Sequence, residues 1–174
     1  MDRSSKFGAA MALVGLLGAL TGCALLGSSG EPPTPFCADE SVQGYVRILR
    51  SQNELAQPAA RRLDELLGRL ESERALIVVP DWRAAASREL SAIVHASRQV
   101  RLLRQPREEL HSAHDRFRGA YRFYDEAANR VHRGLQATDA TETLRGEPWL
   151  TKGRQRFERA QGQMREALAP CGWF

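Results

Sequence analysis

Residues 39–72 read DESVQGYVRILRSQNELAQPAARRLDELLGRLES and form the longest periodic segment of the chain. Apolar residues recur here every three or four positions, which is the spacing that places them on one face of an α-helix. Asp39 is a plausible N-cap. Because the apolar stripe keeps its phase across Pro58, we expect one long helix with a kink at the proline rather than two helices. The stripe consists of Val42, Tyr45, Leu49, Gln52, Ala56, Ala59, Leu63, Leu66 and Leu70.

Three further segments have the same period, and each begins at a recognisable signal. Asp81 is a plausible cap of the second helix, and Pro106 suits the first position of the third. A short helical turn is expected after Asp139, and Pro148 opens the last helix. The three apolar faces are Trp82, Ala86, Leu90, Ile93, Ser97 and Val100; Leu110, His114, Phe117, Tyr121, Tyr124, Ala128, Val131 and Leu135; and Leu150, Gly153, Phe157, Ala160, Met164 and Ala167.

These four helices predict an all-α fold, namely an antiparallel up-down-up-down four-helix bundle with a long first helix. The sequence contains no alternating strand segment and no internal repeat. Its 174 residues are 43% hydrophobic and 26% charged, a composition typical of a folded domain and too apolar for a disordered chain. No apolar run reaches the roughly 20 residues that span a bilayer as a helix, which excludes a polytopic membrane protein.

The start of the chain has a different character from the helical region. Arg3 and Lys6 precede an uncharged apolar run at residues 9–20, AAMALVGLLGAL. A basic start followed by about 7–15 apolar residues is typical of a secretory signal peptide. The next residues, Leu20-Thr21-Gly22-Cys23, resemble the lipobox of bacterial lipoprotein precursors: an aliphatic residue, a small residue, Gly or Ala, and then Cys.

The resemblance implies that Cys23 becomes the mature N-terminus and carries a diacylglyceryl thioether, often with an N-acyl chain such as palmitate. Two or three acyl chains are enough for stable membrane attachment. We therefore expect a signal peptide at 1–22, a lipidated cysteine with a flexible Gly/Ser/Pro tether at 23–37, and a helical domain at 38–174. The alternative is an ordinary signal peptide in which Cys23 is incidental.

The lipobox also implies an extracytoplasmic location. The protein would lie on the outer leaflet of the cell membrane, or on the outer membrane of a Gram-negative cell, since Ala24 is not the aspartate that retains lipoproteins at the inner membrane. Disulfides persist in such oxidising compartments. With Cys23 acylated, two cysteines remain at the two ends of the helical region, and we expect a disulfide between Cys37 and Cys171. Two free thiols are the alternative.

The histidines give only half of a known metal motif. Glu108 and His111 form a Glu-x-x-His step, but ferritin-like di-iron bundles need two such steps and two further inward glutamates. His114 lies on the apolar stripe, so a hydrogen-bonded core histidine is expected there. We find no haem, zinc-protease, serine-hydrolase or phosphate-loop motif. We therefore expect no metal, no cofactor and no catalytic residue, although an enzyme without a motif stays open.

Arginine dominates the 25 basic residues, which outnumber the 21 acidic residues. Arg98, Arg101 and Arg104 follow one another at i, i+3, and Arg118 and Arg122 are spaced i, i+4. Such clusters could contact anionic lipid headgroups or acidic wall polymers, and a solvated helix face is the alternative. Nucleic acid is not expected as a partner outside the cytoplasm.

The functional prediction is a membrane-anchored extracytoplasmic lipoprotein with a non-catalytic role. It would bind an envelope component, or serve as an accessory component of a membrane complex. A helical module that binds a small ligand or a metal is the first alternative, and an unrecognised enzyme is the second. The run from Leu103 to Ala128 is similar to helical lipoproteins of uncharacterised function, which implies no site and no substrate.

Overall fold

A computed structural model describes residues 35–104 and 106–173 of the chain. The described residues are 91% helical and contain no strand, which confirms the all-α prediction. The signal peptide, Cys23 and most of the tether fall on residues 1–34 and lie outside the described residues. The helices are α1 (Pro35–Ala38), α2 (Glu40–Ser72), α3 (Pro80–Leu102), α4 (His111–Ala137), α5 (Ala140–Leu144) and α6 (Glu147–Leu168), with 3-10 turns at Arg74–Val78, Glu108–Leu110 and Ala169–Cys171.

Helix α2 runs without interruption through Pro58, as expected from the phase of its stripe. Its N-terminus is capped by Asp39, whose Oδ1 accepts a hydrogen bond of 2.8 Å from the Ser41 backbone N–H. This bond supplies a partner for a backbone donor that the helix itself leaves unpaired. The Ser41 hydroxyl and the Arg107 side chain also donate to the Asp39 carboxylate.

Two predicted helix starts are wrong. Helix α3 begins at Pro80 with Val79 as its N-cap, so Asp81 lies inside the first turn and is not a cap. The reason is that a residue before proline favours extended backbone, while proline itself suits the first helical turn. Pro106 is not the first residue of the third long helix, because a 3-10 turn at Glu108–Leu110 separates it from α4.

The predicted apolar faces match the buried residues closely. Every member of the α4 stripe is buried, from Leu110 to Leu135. Two positions differ by one residue: Leu67 and Leu168 are buried where Leu66 and Ala167 were expected, whereas Leu70 is buried as predicted. Because an α-helix has 3.6 and not 3.5 residues per turn, a strict alternation of three and four misplaces single positions in a long helix.

Side-chain contacts connect consecutive long helices, including a hydrogen bond that the Trp82 indole donates to the Leu66 backbone carbonyl. From one contact to the next, the residue number increases in one helix of the pair and decreases in the other. The bridging pairs are Arg62–Glu89 and Leu66–Trp82 between α2 and α3, Arg101–Asp125 and Arg83–Thr138 between α3 and α4, and Phe117–Phe157 and Phe123–Trp149 between α4 and α6.

The disulfide between Cys37 and Cys171 is present, as predicted. It joins α1 to the 3-10 turn that follows α6, and the two Cα atoms are 5.3 Å apart. The beginning of α2 and the end of α6 therefore lie at the same end of the helical domain.

Candidate binding groove between α2 and α6

A groove of about 490 Å³ lies between α2 and α6. Its floor is apolar and consists of Val46 and Leu49 of α2, Phe117 of α4 and Met164 of α6, all of which are buried. The remaining lining residues are polar or flank the rim: Arg50, Asn53, Glu54, Gln57, Pro58, Arg61, Gln161 and Arg165. An apolar floor with a few polar groups at its edge is the usual composition of a ligand site.

The groove exists because α6 packs more closely on α4 than on α2. Gly153 and Ala160 of α6 are buried and small, and the Tyr124 ring fills the space beside Gly153. Long side chains connect α2 to α6 and to the residues that follow α6. Arg154 Nη1 of α6 lies 2.8 Å from Asp64 Oδ2 of α2, and Arg50 of α2 donates to the carbonyl of Trp173, beyond α6, at 2.9 Å.

Two amide side chains of α2 are held in place by buried tyrosines of α4. The Tyr121 hydroxyl donates to Asn53 Oδ1 at 3.0 Å, and Gln57 Nε2 donates to the Tyr124 hydroxyl at 3.0 Å. Burial raises the pKa of Tyr124 to about 12 and raises the pKa of Tyr121 further. Both hydroxyls therefore stay neutral at physiological pH, and they act as hydrogen-bonding groups rather than as bases.

The rim of the groove carries a positive surplus. Arg61 and Arg165 stand against a single glutamate, Glu54, among the described lining residues, while Arg50 donates to the Trp173 carbonyl. Val46 and Arg50 also line a second cavity of about 410 Å³, together with Trp173. Since Trp173 is two residues from Cys171, this second cavity lies at the disulfide end of the domain.

The predicted core histidine is confirmed. His114 is buried, and its Nδ1 atom lies 3.0 Å from the hydroxyl of Tyr45 on α2. Burial raises the pKa of Tyr45, so this hydroxyl keeps its proton and can donate it to Nδ1. Burial also lowers the pKa of His114, and the positive charge of Arg118 adds to that effect. A neutral imidazole is therefore favoured at this position.

The other histidines do not assemble a metal centre with the groove. His111 Nε2 lies 2.8 Å from the Pro106 carbonyl, so it can donate there. His95 and His132 line a cavity of about 590 Å³ between α3 and α4. Within residues 35–104 and 106–173, no three His, Cys, Asp or Glu side chains form a group that could hold a metal ion.

Two members of the predicted arginine cluster on α3 have different surroundings. Arg101 pairs with Asp125 at 3.0 Å, whereas Arg98 lines the cavity between α3 and α4. The groove residues Asn53, Gln57 and Arg61 were missed by the sequence analysis. Their i, i+4, i+8 spacing beside the apolar stripe of α2 is the signal that could have identified them.

Comparison with known proteins gives no relative to this chain. No family model, no curated protein and no solved structure matches it. Among the described helices, none has the length and apolar character needed to cross a bilayer.

Proposed function

We propose that this chain is a bacterial lipoprotein, anchored by acyl chains on Cys23 and exposed outside the cytoplasm. Its helical domain would be an antiparallel up-down-up-down four-helix bundle formed by α2, α3, α4 and α6. The domain would have a non-catalytic role in which it binds a component of the cell envelope or supports a membrane complex.

The observation that carries this proposal is the lipobox, Leu20-Thr21-Gly22-Cys23, preceded by a basic and then apolar segment. The disulfide between Cys37 and Cys171 supports it independently. Cytosolic thiols are kept reduced, whereas disulfides form and persist in exported proteins. The disulfide also leaves Cys23 as the remaining cysteine of the three, as acylation requires.

The contacts between helices support the proposed bundle. Between consecutive long helices, the numbers of contacting residues increase in one helix and decrease in the other, whereas between α2 and α4 they increase together. Such a pattern is expected when α2 and α4 are the first and third helices of an up-down-up-down arrangement. The contacts between α2 and α4 are Tyr45–His114, Asn53–Tyr121 and Gln57–Tyr124.

The anchor can be tested by changing Cys23→Ser in the full chain expressed in a bacterial host. We expect the variant to lose incorporation of labelled palmitate and to accumulate as an uncleaved precursor. Cys37→Ser is the matched control, since it removes a cysteine but leaves the lipobox intact, and it should still be labelled. Equal labelling of wild type and Cys23→Ser would contradict the proposal.

The groove favours a second candidate function, the binding of a small amphipathic anion. Its apolar floor suits a hydrocarbon body, and the positive surplus of its rim suits an acidic head group.

A photoreactive fatty acid added to the purified full chain should crosslink to residues 46–61 and 161–165. The variant Arg61→Gln/Arg165→Gln should reduce this crosslinking, whereas the control Arg69→Gln/Arg74→Gln should not. Uniform labelling of all helices would exclude a groove ligand.

A further inference from the structure

Three arginines converge on the surface between α4 and α6, away from the groove. Arg116 of α4 and Arg156 and Arg159 of α6 line one cavity of about 300 Å³, and all three are exposed. None of them forms an ion pair with a described carboxylate. This distinguishes them from Arg101, Arg130 and Arg154, each of which has a carboxylate partner.

The two acidic residues adjacent in sequence, Asp115 and Glu158, form no ion pair with these arginines within the described part of the chain. Three guanidinium groups around one space repel one another, and an anion placed among them would remove that repulsion.

The position of Arg156 is set by its surroundings. Its guanidinium lies 4.6 Å from the centre of the Phe123 ring, and its Nη1 atom lies 3.5 Å from the point that a Cβ at Gly119 would occupy. Phe123 is in turn stacked on Trp149, with 5.6 Å between the ring centres. An arginine held in this way loses less conformational freedom when it binds a ligand.

Further cations extend the positive field along the same seam. Lys152 lies 5.2 Å from the centre of the Trp149 ring, and Arg130 lies at the same distance from it. Of these two, only Arg130 has a carboxylate partner among the described residues, namely Glu126. Because a positive field attracts anions before contact, it would favour the arrival of a negatively charged group at the arginine cavity.

We propose that Arg116, Arg156 and Arg159 form a binding site for a phosphate group. Guanidinium groups bind phosphate through paired, charge-assisted hydrogen bonds, and a phosphate has enough oxygens to engage several arginines at once. The group could belong to a lipid headgroup or to free phosphate. This site gives a ligand class to the envelope-binding role proposed above and rests on that role, but it does not depend on acylation of Cys23.

The test uses the full chain in neutral detergent micelles at constant ionic strength. One arm titrates inorganic phosphate by calorimetry, and the other adds dihexanoyl phosphatidylglycerol to the micelles. We expect Arg116→Gln/Arg156→Gln/Arg159→Gln to weaken binding about tenfold or more. Binding in the lipid arm alone would assign the site to headgroups, and binding in both arms or in the phosphate arm alone would assign it to phosphate itself.

The control variant is Arg69→Gln/Arg74→Gln/Arg88→Gln, which removes the same charge from exposed arginines elsewhere. It should change the affinity by less than about twofold. Equal weakening in the two triple variants would show that only net charge matters and would overturn the proposal. Absence of binding by the wild-type chain in both arms would overturn it as well. If the wild-type chain from a bacterial host carries no lipid on Cys23 but still binds phosphate, the proposed anchor is refuted and the arginine site is supported.

Discussion

At the scale of single residues, His114 is the group whose protonation should affect folding most directly. His114 is buried, whereas the other three histidines are partly or fully exposed. Burial lowers the pKa of His114 below the ordinary value of 6.5. The unfolded chain therefore binds a proton at a higher pH than the folded chain does. Between these two pKa values the free energy of unfolding should fall as the pH falls, because protonation favours the unfolded state.

This prediction can be checked by urea unfolding at a series of pH values below neutrality. Wild type should lose stability as the pH passes below about 6.5. His114→Gln should lack that part of the pH dependence, although it should be less stable than wild type at neutral pH. A His132→Gln control, which changes an exposed histidine, should keep the wild-type slope. If the slope is unchanged in His114→Gln, the buried imidazole is not its source.

The sequence placed Tyr45 and His114 on apolar stripes, and both are buried as expected. Their hydrogen bond could not be predicted in the same way. A stripe determines which face of a helix turns inward, but it leaves open how far one helix is shifted along the next. The shift that brings residue 45 opposite residue 114 depends on the connections through α3 and the turns at its ends.

At the scale of helices, Gly153 allows close packing of α6 on α4. A Cβ at this position would lie 2.6 Å from Cε1 of Tyr124. Tyr124 is fully buried and hydrogen-bonded to Gln57, so its ring has little freedom to move. We expect Gly153→Ala to destabilise the protein by about 1–3 kcal/mol, despite the higher helix propensity of alanine.

Gly162 provides the control on the same helix. A Cβ there would meet nothing within 4 Å, so Gly162→Ala should stabilise the protein by up to about 1 kcal/mol. Chemical denaturation of both variants gives the comparison directly. Destabilisation of both by the same amount would mean that helix propensity and backbone effects, rather than the contact with Tyr124, control the result.

Helix type and position were predictable, whereas several boundaries were not. The strong apolar stripes of α2 and α4 identified those two helices, although α4 begins five residues after the predicted start at Pro106. The start of α3 was misplaced because an aspartate at a helix start was taken as the cap, while Pro80 already opens the helix. The extra turn at Glu108–Leu110 was missed because a 3-10 turn carries no separate apolar period.

At the scale of the whole molecule, the candidate groove lies beyond what periodicity can predict. Its floor residues come from three helices: Leu49, Phe117 and Met164 lay on three separate predicted stripes, and Val46 lay outside them. The groove depends on the difference between the close α4–α6 contact and the wider α2–α6 contact. That difference arises from side-chain volumes at facing positions, which become known only when the helices are placed in register.

The disulfide is the contact that should matter most to the stability of the whole domain. Cys37 and Cys171 are 134 positions apart, so their bond removes a large amount of conformational freedom from the unfolded chain. For a loop of about 100 residues the chain-entropy model gives about 4–5 kcal/mol. Cys37→Ala/Cys171→Ala should therefore unfold at a much lower urea concentration than oxidised wild type, and reduced wild type should resemble the variant. Since the paired cysteines join the entry and the exit of the helical domain, the loss should affect all helices in one transition. Coinciding unfolding curves for oxidised and reduced wild type would show that the helices hold these two ends together without the bond.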